Sequence, residues 1–250
     1  MQEQLKEMII DLESLGICKG DVLFVHSSLS ALGRIDGGSK TVVDGLLSVI
    51  GNQGTLLMPA FSYATTVQYP YYFSIEKSVC CVGTIPEYFR CLSTTKRSLH
   101  PTHSISGCGL KAEELLNPHS LDCTPVGKHS PLSALTKCNG KILFLGCGLN
   151  SNTLMHGVEE EVGVPYVLKQ QPVEYLMELS NTQVKSKMYY QHDFEGYKQC
   201  YYRLEQIISP KFARRGKVLE AHCILLNAQE TWRIAEEKMR QDPFFFVDKV

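Results

Sequence analysis

The sequence predicts an α/β fold in which a central, mostly parallel or mixed sheet is flanked by helices. Three observations support this prediction: short apolar runs rich in strand-forming residues, segments with helical apolar spacing between them, and glycines directly after the first two helical segments. Apolar strands that alternate with helices are typical of a sheet covered on both faces. Because no linker or internal repeat divides the 250 residues, we predict one domain over residues 1–250.

The first 145 residues contain the clearest alternation. Apolar residues at helical spacing predict helices over residues 5–15 and 42–50, and Gly16 and Gly51 are typical of helix C-termini. The runs at residues 21–26 and 55–59 are short and almost wholly apolar, which favours buried strands. The same alternation then predicts a helix near residues 84–92 and strands near 104–108 and 141–145.

The last third of the chain is more polar and predicts an antiparallel or mixed elaboration of the sheet. Residues 183–190 fit a polar strand, and residues 194–208 have the spacing of a helix. Residues 217–226 fit another strand, and residues 229–240 an amphipathic helix.

Charge and cysteine usage exclude several classes of protein. With 25 basic and 26 acidic residues, the net charge of −1 lacks the positive surface expected of a nucleic-acid binder. No apolar stretch approaches the length of a membrane span, and the first residues lack the features of a signal peptide. The ten cysteines contain no Cys-x-x-Cys pair. We therefore expect a cytoplasmic protein with free thiols, no membrane association and no nucleic-acid partner.

Hydroxyl residues follow the first predicted strand, in the segment from residue 25 to residue 33. A turn of this kind, followed by a helix N-terminus, suits an anionic ligand. The alternative is that Ser27 or Ser28 is only a helix N-cap. Taken alone, the N-cap is the better interpretation, because the glycine fingerprint of a nucleotide-binding loop is absent.

The loop from residue 97 to residue 104 is the second candidate segment. His100 and His103 are spaced three apart, but Pro101 between them argues against a helix that presents both to a metal. We favour a rigid positioning loop that offers Arg97, hydroxyl groups and backbone donors to a ligand. In a third segment, Ser130 before Pro131 predicts the N-cap of a helix, and this structural role accounts for both residues.

The fourth segment, residues 150–161, is the most suggestive of catalysis. It follows the strand predicted at 141–145, and ligands collect beyond the carboxyl ends of strands in open α/β sheets. His156 and Glu159 share one face of the helix predicted here, and a carboxylate beside an imidazole fixes its tautomer and raises its basicity. A solvated acidic face and a pair that only stabilises the helix remain equally good interpretations of the pattern.

Taken in this order, the four segments resemble the aminoglycoside 3-N-acetyltransferase family. The segments 215–218 and 242–243 are also similar to that family, so the resemblance spans nearly the whole chain. One departure is Leu219, which stands where the family usually has a glycine. The resemblance implies acetyl-CoA as acetyl donor, no metal, and transfer to the amine of an aminoglycoside or related amino sugar.

The resemblance also implies roles for individual residues. His156 matches the catalytic general base and Glu159 the carboxylate that orients it. Two segments match those that line the coenzyme A site, with the residues His26, Ser27, Ser28, Leu29, Arg97, Ser98, Pro101, Thr102, His103 and Ser104. Candidate contacts to the amine substrate are Asn152, Thr153, Asp122 and Glu160.

Several alternatives stay open at the level of sequence. The acceptor is either an aminoglycoside, an amino sugar of a surface polysaccharide or another small amine, and the nearly balanced charge gives no sign of a protein committed to polycations. An acetyl-cysteine intermediate at Cys147 or Cys123 is a rival to direct transfer. A family member that binds coenzyme A without catalysis is a third possibility, and a homodimer is possible.

Overall fold

The centre of the fold is a seven-stranded mixed sheet. The structure is a computed structural model that describes residues 2–250. In spatial order, the strands are β10 (Ala213–Val218), β11 (Ala221–Asn227), β6 (Lys141–Leu145), β1 (Val22–Ser27), β2 (Thr55–Pro59), β5 (Ile105–Gly109) and β4 (Lys96–Arg97). β1 is parallel to both β2 and β6, and the other neighbours are antiparallel. The mixed sheet and its four predicted strands in residues 21–145 are thus confirmed.

Helices cover both faces of this sheet, because side chains of a strand point alternately to its two sides. Phe24 and Phe144 belong to one buried cluster, and Leu23, Val25 and Leu143 belong to the cluster on the opposite face. Residues of α1 (Gln2–Leu15), α2 (Ser39–Ile50) and α4 (Thr84–Arg90) pack in the second cluster. The first cluster contains residues of α5 (Ala112–Leu116), α6 (Pro131–Lys137), α7 (Leu154–Val162) and α8 (Ala228–Gln241).

Two small sheets and a short helix complete the fold. A three-stranded sheet contains β3 (Tyr72–Ser74), β7 (Val173–Ser180) and β8 (Gln183–Tyr189), and β8 is the polar strand predicted at 183–190. The chain between β2 and β3 forms the one-turn helix α3 (Tyr63–Thr66). A two-stranded sheet pairs β9 (Tyr197–Gln199) with β12 (Val247–Lys249). Within residues 2–250, no helix is both long and apolar enough to cross a membrane.

Two predictions in the last third are wrong. Residues 194–208 form β9 and a short 3-10 helix over Tyr201–Gln206 instead of an α-helix, and their helical spacing reflects the buried side chains of Tyr201, Leu204 and Ile208. Residues 217–226 form the end of β10, the following turn and most of β11, so they belong to a hairpin and not to a single strand. The sequence does not indicate this turn, because Leu219 occupies it with a φ of 52°, a conformation that glycine usually adopts.

Gly109, at the end of β5, is a position where the fold depends on glycine. Its φ is +120°, and an added Cβ would lie 2.2 Å from the carbonyl oxygen of Gly54. We expect Gly109→Ala to lower the free energy of unfolding by about 3 kcal/mol or more, because the clash is with backbone that cannot move aside. Thermal unfolding should then show a midpoint lower by roughly 6–12 °C.

Gly20→Ala is the matched control for this variant. Gly20 also has positive φ (+86°), but nothing lies within 4 Å of an added Cβ. Only the conformational cost of about 1 kcal/mol is expected there. Equal loss of stability in the two variants would mean that the close approach of β5 to Gly54 does not constrain the fold.

Candidate active site

The candidate site lies at the carboxyl ends of the parallel strands β1 and β6, where helix α7 begins. His26 lies near the end of β1, and its Nε2 accepts a hydrogen bond from the backbone N–H of Thr153 (3.4 Å). Burial, together with the proximity of His156, lowers the pKa of His26 to about 3, so the ring is neutral and able to accept. The ring stacks on Phe144 with centroids 5.3 Å apart. His26 therefore fixes the start of α7 against the sheet.

His156, Glu159 and Tyr201 form a hydrogen-bonded triangle in this region. The Nδ1 atom of His156 lies 3.0 Å from Oε2 of Glu159 and 2.9 Å from the hydroxyl oxygen of Tyr201. The Tyr201 hydroxyl donates to the same carboxylate oxygen (2.8 Å). Because Nδ1 faces a carboxylate, it carries the hydrogen, and Nε2 is left with a free lone pair. This is the arrangement that a general base requires.

Burial distinguishes the three members of the triangle. The Glu159 side chain is fully buried, whereas 16% of the His156 side chain is exposed. Burial raises the pKa of Tyr201 well above its usual value, and the Glu159 carboxylate adds to the effect, so the phenol remains a donor. Glu159 is thus out of reach of a ligand, whereas the ring of His156 is accessible and is held in place by its two partners.

Two cavities meet at His156. The first has a volume of about 310 Å³ and the second of about 400 Å³. Both are lined by Tyr63, His103, Asn150 and His156. The first is otherwise lined by His26, Ser27, Pro59, Phe61, Val82, Cys147, Ser151 and Thr153, and the second by Val67, Thr102, Lys169, Gln191, His192, Phe194, Gln199 and Tyr201. Two different ligands can therefore approach the same imidazole from two sides.

Two further histidines surround His156. The ring of His192 lies 4.6 Å from that of His156 and 4.7 Å from that of His103. Burial lowers the pKa of both His103 and His192 well below the usual value, and neighbouring histidines lower it further. Nε2 of His192 lies 3.2 Å from Oε1 of Glu160. In the part of the chain that the structure describes, no group of three His, Cys, Asp or Glu side chains is arranged to hold a metal ion.

Arg97 is held by the protein itself. Its guanidinium donates to the carbonyl oxygens of Ile75 (3.0 Å), Ser78 (2.7 Å) and Ala60 (2.7 Å), and its Nε–H donates to Ser104 (2.9 Å). Burial lowers its pKa to about 10. With four of its five N–H donors used in this way, Arg97 ties the loop to the edge of the sheet and lines neither cavity.

The other predicted coenzyme contacts divide into two groups. Thr102 and His103 reach the second cavity, while His26, Ser27 and His103 line the first. The Ser27 hydroxyl is buried and has no hydrogen-bond partner within residues 2–250, so it is available to a ligand. The residues that line neither cavity are Ser28, Leu29, Ser98, Pro101 and Ser104.

Of the predicted substrate contacts, only Thr153 lines a cavity at His156. Asn152 is fully buried at the start of α7. Asp122 and Glu160 line a separate cavity of about 320 Å³, where Asp122 accepts from Nδ1 of His129 (2.8 Å). Burial raises the pKa of Glu160 to about 7. The structure therefore does not bring the predicted acidic residues to the cavities at His156.

Several residues of the site were missed by the sequence analysis. Tyr201 falls in the stretch wrongly expected to be helical, and it lies 45 positions from the histidine that it contacts. His192, Lys169 and Gln191 come from segments without a recognisable motif. The sequence signal for the site is the motif Asn-Thr-x-x-His-x-x-Glu at residues 152–159. This motif gives no indication of which distant segments contribute the other lining residues.

Comparison with known proteins identifies the family. A family model described as aminoglycoside 3-N-acetyltransferase matches residues 24–240. Aminoglycoside N(3)-acetyltransferase VIII of Streptomyces fradiae is 32% identical over 186 residues, a match that covers 66% of this chain and 65% of that enzyme. The chain thus spans slightly less than two thirds of the length of this relative.

Two solved structures share the fold over nearly the whole chain. AAC-IIIb in a binary complex with CoASH has a TM-score of 0.81 and 25% identity, covering 95% of this chain and 96% of that one. A mutant of aminoglycoside acetyltransferase AAC(3)-IVa in complex with a gentamicin has a TM-score of 0.82 and 26% identity, covering 96% and 90%. One neighbour thus holds coenzyme A and the other an amine.

Proposed function

The chain belongs to the aminoglycoside 3-N-acetyltransferase family, and we propose that it transfers the acetyl group of acetyl-CoA to a primary amine of an aminoglycoside or related amino sugar. The observation that carries this proposal is the position of His156 between two cavities, with its ring oriented by Glu159 and Tyr201. The neighbours with CoASH and with gentamicin support a thioester donor and an amine acceptor.

We assign direct transfer within a ternary complex. Nε2 of His156 takes a proton from the acceptor amine while the nitrogen attacks the thioester carbonyl carbon, which forms the C–N bond. The tetrahedral intermediate then collapses, the C–S bond breaks, and the imidazolium returns its proton to the departing thiolate. Glu159 stabilises the imidazolium while it exists, since the carboxylate contacts Nδ1 directly.

We assign the first cavity to the thioester and the second to the amine. Ser27 offers an unpartnered hydroxyl in the first cavity, and we assign it to the carbonyl oxygen of the acetyl group. A third cavity, of about 780 Å³, shares Cys147 with the first and is lined by Arg215, Lys217 and His222. Glu220 lines the same cavity, and Arg215 forms an exposed ion pair with Glu205 (2.9 Å). We assign the phosphates of coenzyme A to Lys217 and Arg215, because an exposed ion pair contributes little and can give way to a phosphate, whereas the donors of Arg97 are taken by backbone carbonyls.

The properties of the cysteines near the site argue against an acetyl-cysteine intermediate. All ten are free thiols, and Cys147 lines the first cavity. Burial raises the pKa of Cys147 to about 11, which leaves a very small thiolate fraction at neutral pH. Cys123 lies on the cavity of Asp122, away from His156.

Release of free thiol from acetyl-CoA in the presence of a panel of amines tests the proposed function. We expect amine-dependent release, and Cys147→Ala is expected to retain kcat within about threefold, because no bond to sulfur forms on the enzyme. Initial rates with both substrates varied should give intersecting lines. Tight binding of coenzyme A without thiol release would favour a non-catalytic protein, and parallel lines together with an inactive Cys147→Ala would establish an acetyl-enzyme.

A further inference from the structure

The cavities at His156 contain almost no charge. Among residues 2–250, no aspartate or glutamate lines either of them, and the first has no charged side chain at all. The second contains one charged group, the ammonium of Lys169. Its other polar groups are the amides of Asn150, Gln191 and Gln199 and the hydroxyls of Tyr63, Thr102 and Tyr201.

Lys169 is available to a ligand. Its backbone N–H is fixed by a hydrogen bond to the carbonyl of Gln191 (2.9 Å), which places the residue on the wall of the cavity. The side chain is exposed, and no carboxylate of the described chain forms an ion pair with its ammonium within 4.0 Å. An uncompensated cation at the wall attracts an anion and repels a second cation.

Three carboxylates that contact lining residues or adjoin them in sequence do not compensate this charge. Glu159 is buried behind His156 and is engaged by its ring and by Tyr201. Glu160 accepts from the backbone N–H of Val126 (2.8 Å) and lies beside His192, which separates it from the cavity. Asp193 lies between two lining residues without lining the cavity itself.

Two of the histidines that line the second cavity add no positive charge to it. His103 and His192 are buried, and burial lowers the pKa of both well below neutrality, so they are uncharged hydrogen-bonding groups. The walls therefore combine amides, hydroxyls and aromatic rings with one cation. Such a surface suits the hydroxyls and the apolar face of a sugar ring.

We infer that the acceptor is an amino sugar with a single amine and an anionic group, a phosphate or a carboxylate, that contacts Lys169. This inference rests on the proposed acetyl transfer and narrows its substrate class. A polycationic aminoglycoside would bring several ammonium groups to a cavity that has no carboxylate to receive them and one lysine to repel them.

The test compares kcat/KM for thiol release with glucosamine, glucosamine 6-phosphate, muramic acid and gentamicin. For the unsubstituted protein, we expect the phosphate- or carboxylate-bearing sugar to exceed both glucosamine and gentamicin by at least about tenfold. The two anionic sugars compare a phosphate on C6 with a carboxylate on the C3 lactyl group. Lys169→Glu should lower the ratio of anionic sugar to gentamicin by tenfold or more.

Lys185→Glu is the control, because it makes the same change of charge on the exposed strand β8 and lines neither cavity. It should leave the ratio within about twofold. The ratio also separates specificity from folding, since a damaged variant loses activity on both substrates alike. Preference for gentamicin, equal use of glucosamine and its phosphate, or a ratio unmoved by Lys169→Glu would overturn the inference and leave the transferase intact. Absence of thiol release with every amine would overturn the proposed function instead.

Discussion

Replacing His156 with alanine is expected to lower kcat for acetyl transfer by about 10²–10⁴-fold, the usual contribution of a general base. Four of the described residues line both cavities, and among these four His156 is the one whose ring contacts a carboxylate that fixes its tautomer. Because the alanine variant keeps the rest of the first cavity, we expect its Kd for coenzyme A to stay within a few-fold of the original. Thiol-release rates and calorimetric titration measure the two quantities.

His129→Ala is the matched control for this experiment. His129 pairs with Asp122 on a separate cavity, so the same truncation there should leave turnover nearly unchanged. Thermal unfolding of both variants shows whether each is folded. A folded His156→Ala protein that turns over at a near-normal rate would mean that another group removes the proton of the amine.

Glu159→Gln is expected to lower kcat by about 10²-fold or more with little change in KM. The substitution keeps the volume of the side chain but removes the charge that stabilises the imidazolium, and the new amide can present its N–H₂ to Nδ1 and favour the wrong tautomer. In the proposed mechanism Glu159 is a positioning residue, since it is fully buried and contacts His156. Steady-state rates as a function of amine concentration separate kcat from KM.

The control for this substitution lies two positions along the same helix. Glu161 is exposed, lines the separate cavity of Asp122 and not those at His156, and Glu161→Gln should leave kcat within about twofold. If Glu159→Gln and Glu161→Gln had equal and small effects, the buried carboxylate would serve only to stabilise α7, as the sequence alone allowed.

The sequence predicts best those elements that depend on residues close together in the chain. Strands β1, β2 and β6 are continuous apolar runs because both faces of the sheet are covered, and α7 follows from a motif in which His156 and Glu159 are one turn apart. The hairpin turn at Leu219 was missed because a leucine takes the conformation that glycine normally marks.

Long-range partners account for the remaining differences between sequence and structure. Arg97 has the chemistry of a phosphate ligand, and nothing in its segment indicates that the carbonyls of Ile75, Ser78 and Ala60 occupy its donors. Tyr201 joins the site only because the chain after β9 folds back over α7. Such contacts depend on tertiary packing, which a motif of eight residues does not encode.

The most direct test of the account is the kinetics of the double variant His156→Ala/Glu159→Gln. If the carboxylate acts only through the imidazole, its loss has no further effect once the imidazole is gone, and the double variant should turn over at the rate of His156→Ala within about threefold. If the two losses multiply instead, Glu159 contributes independently of His156, and the two side chains do not form one catalytic unit.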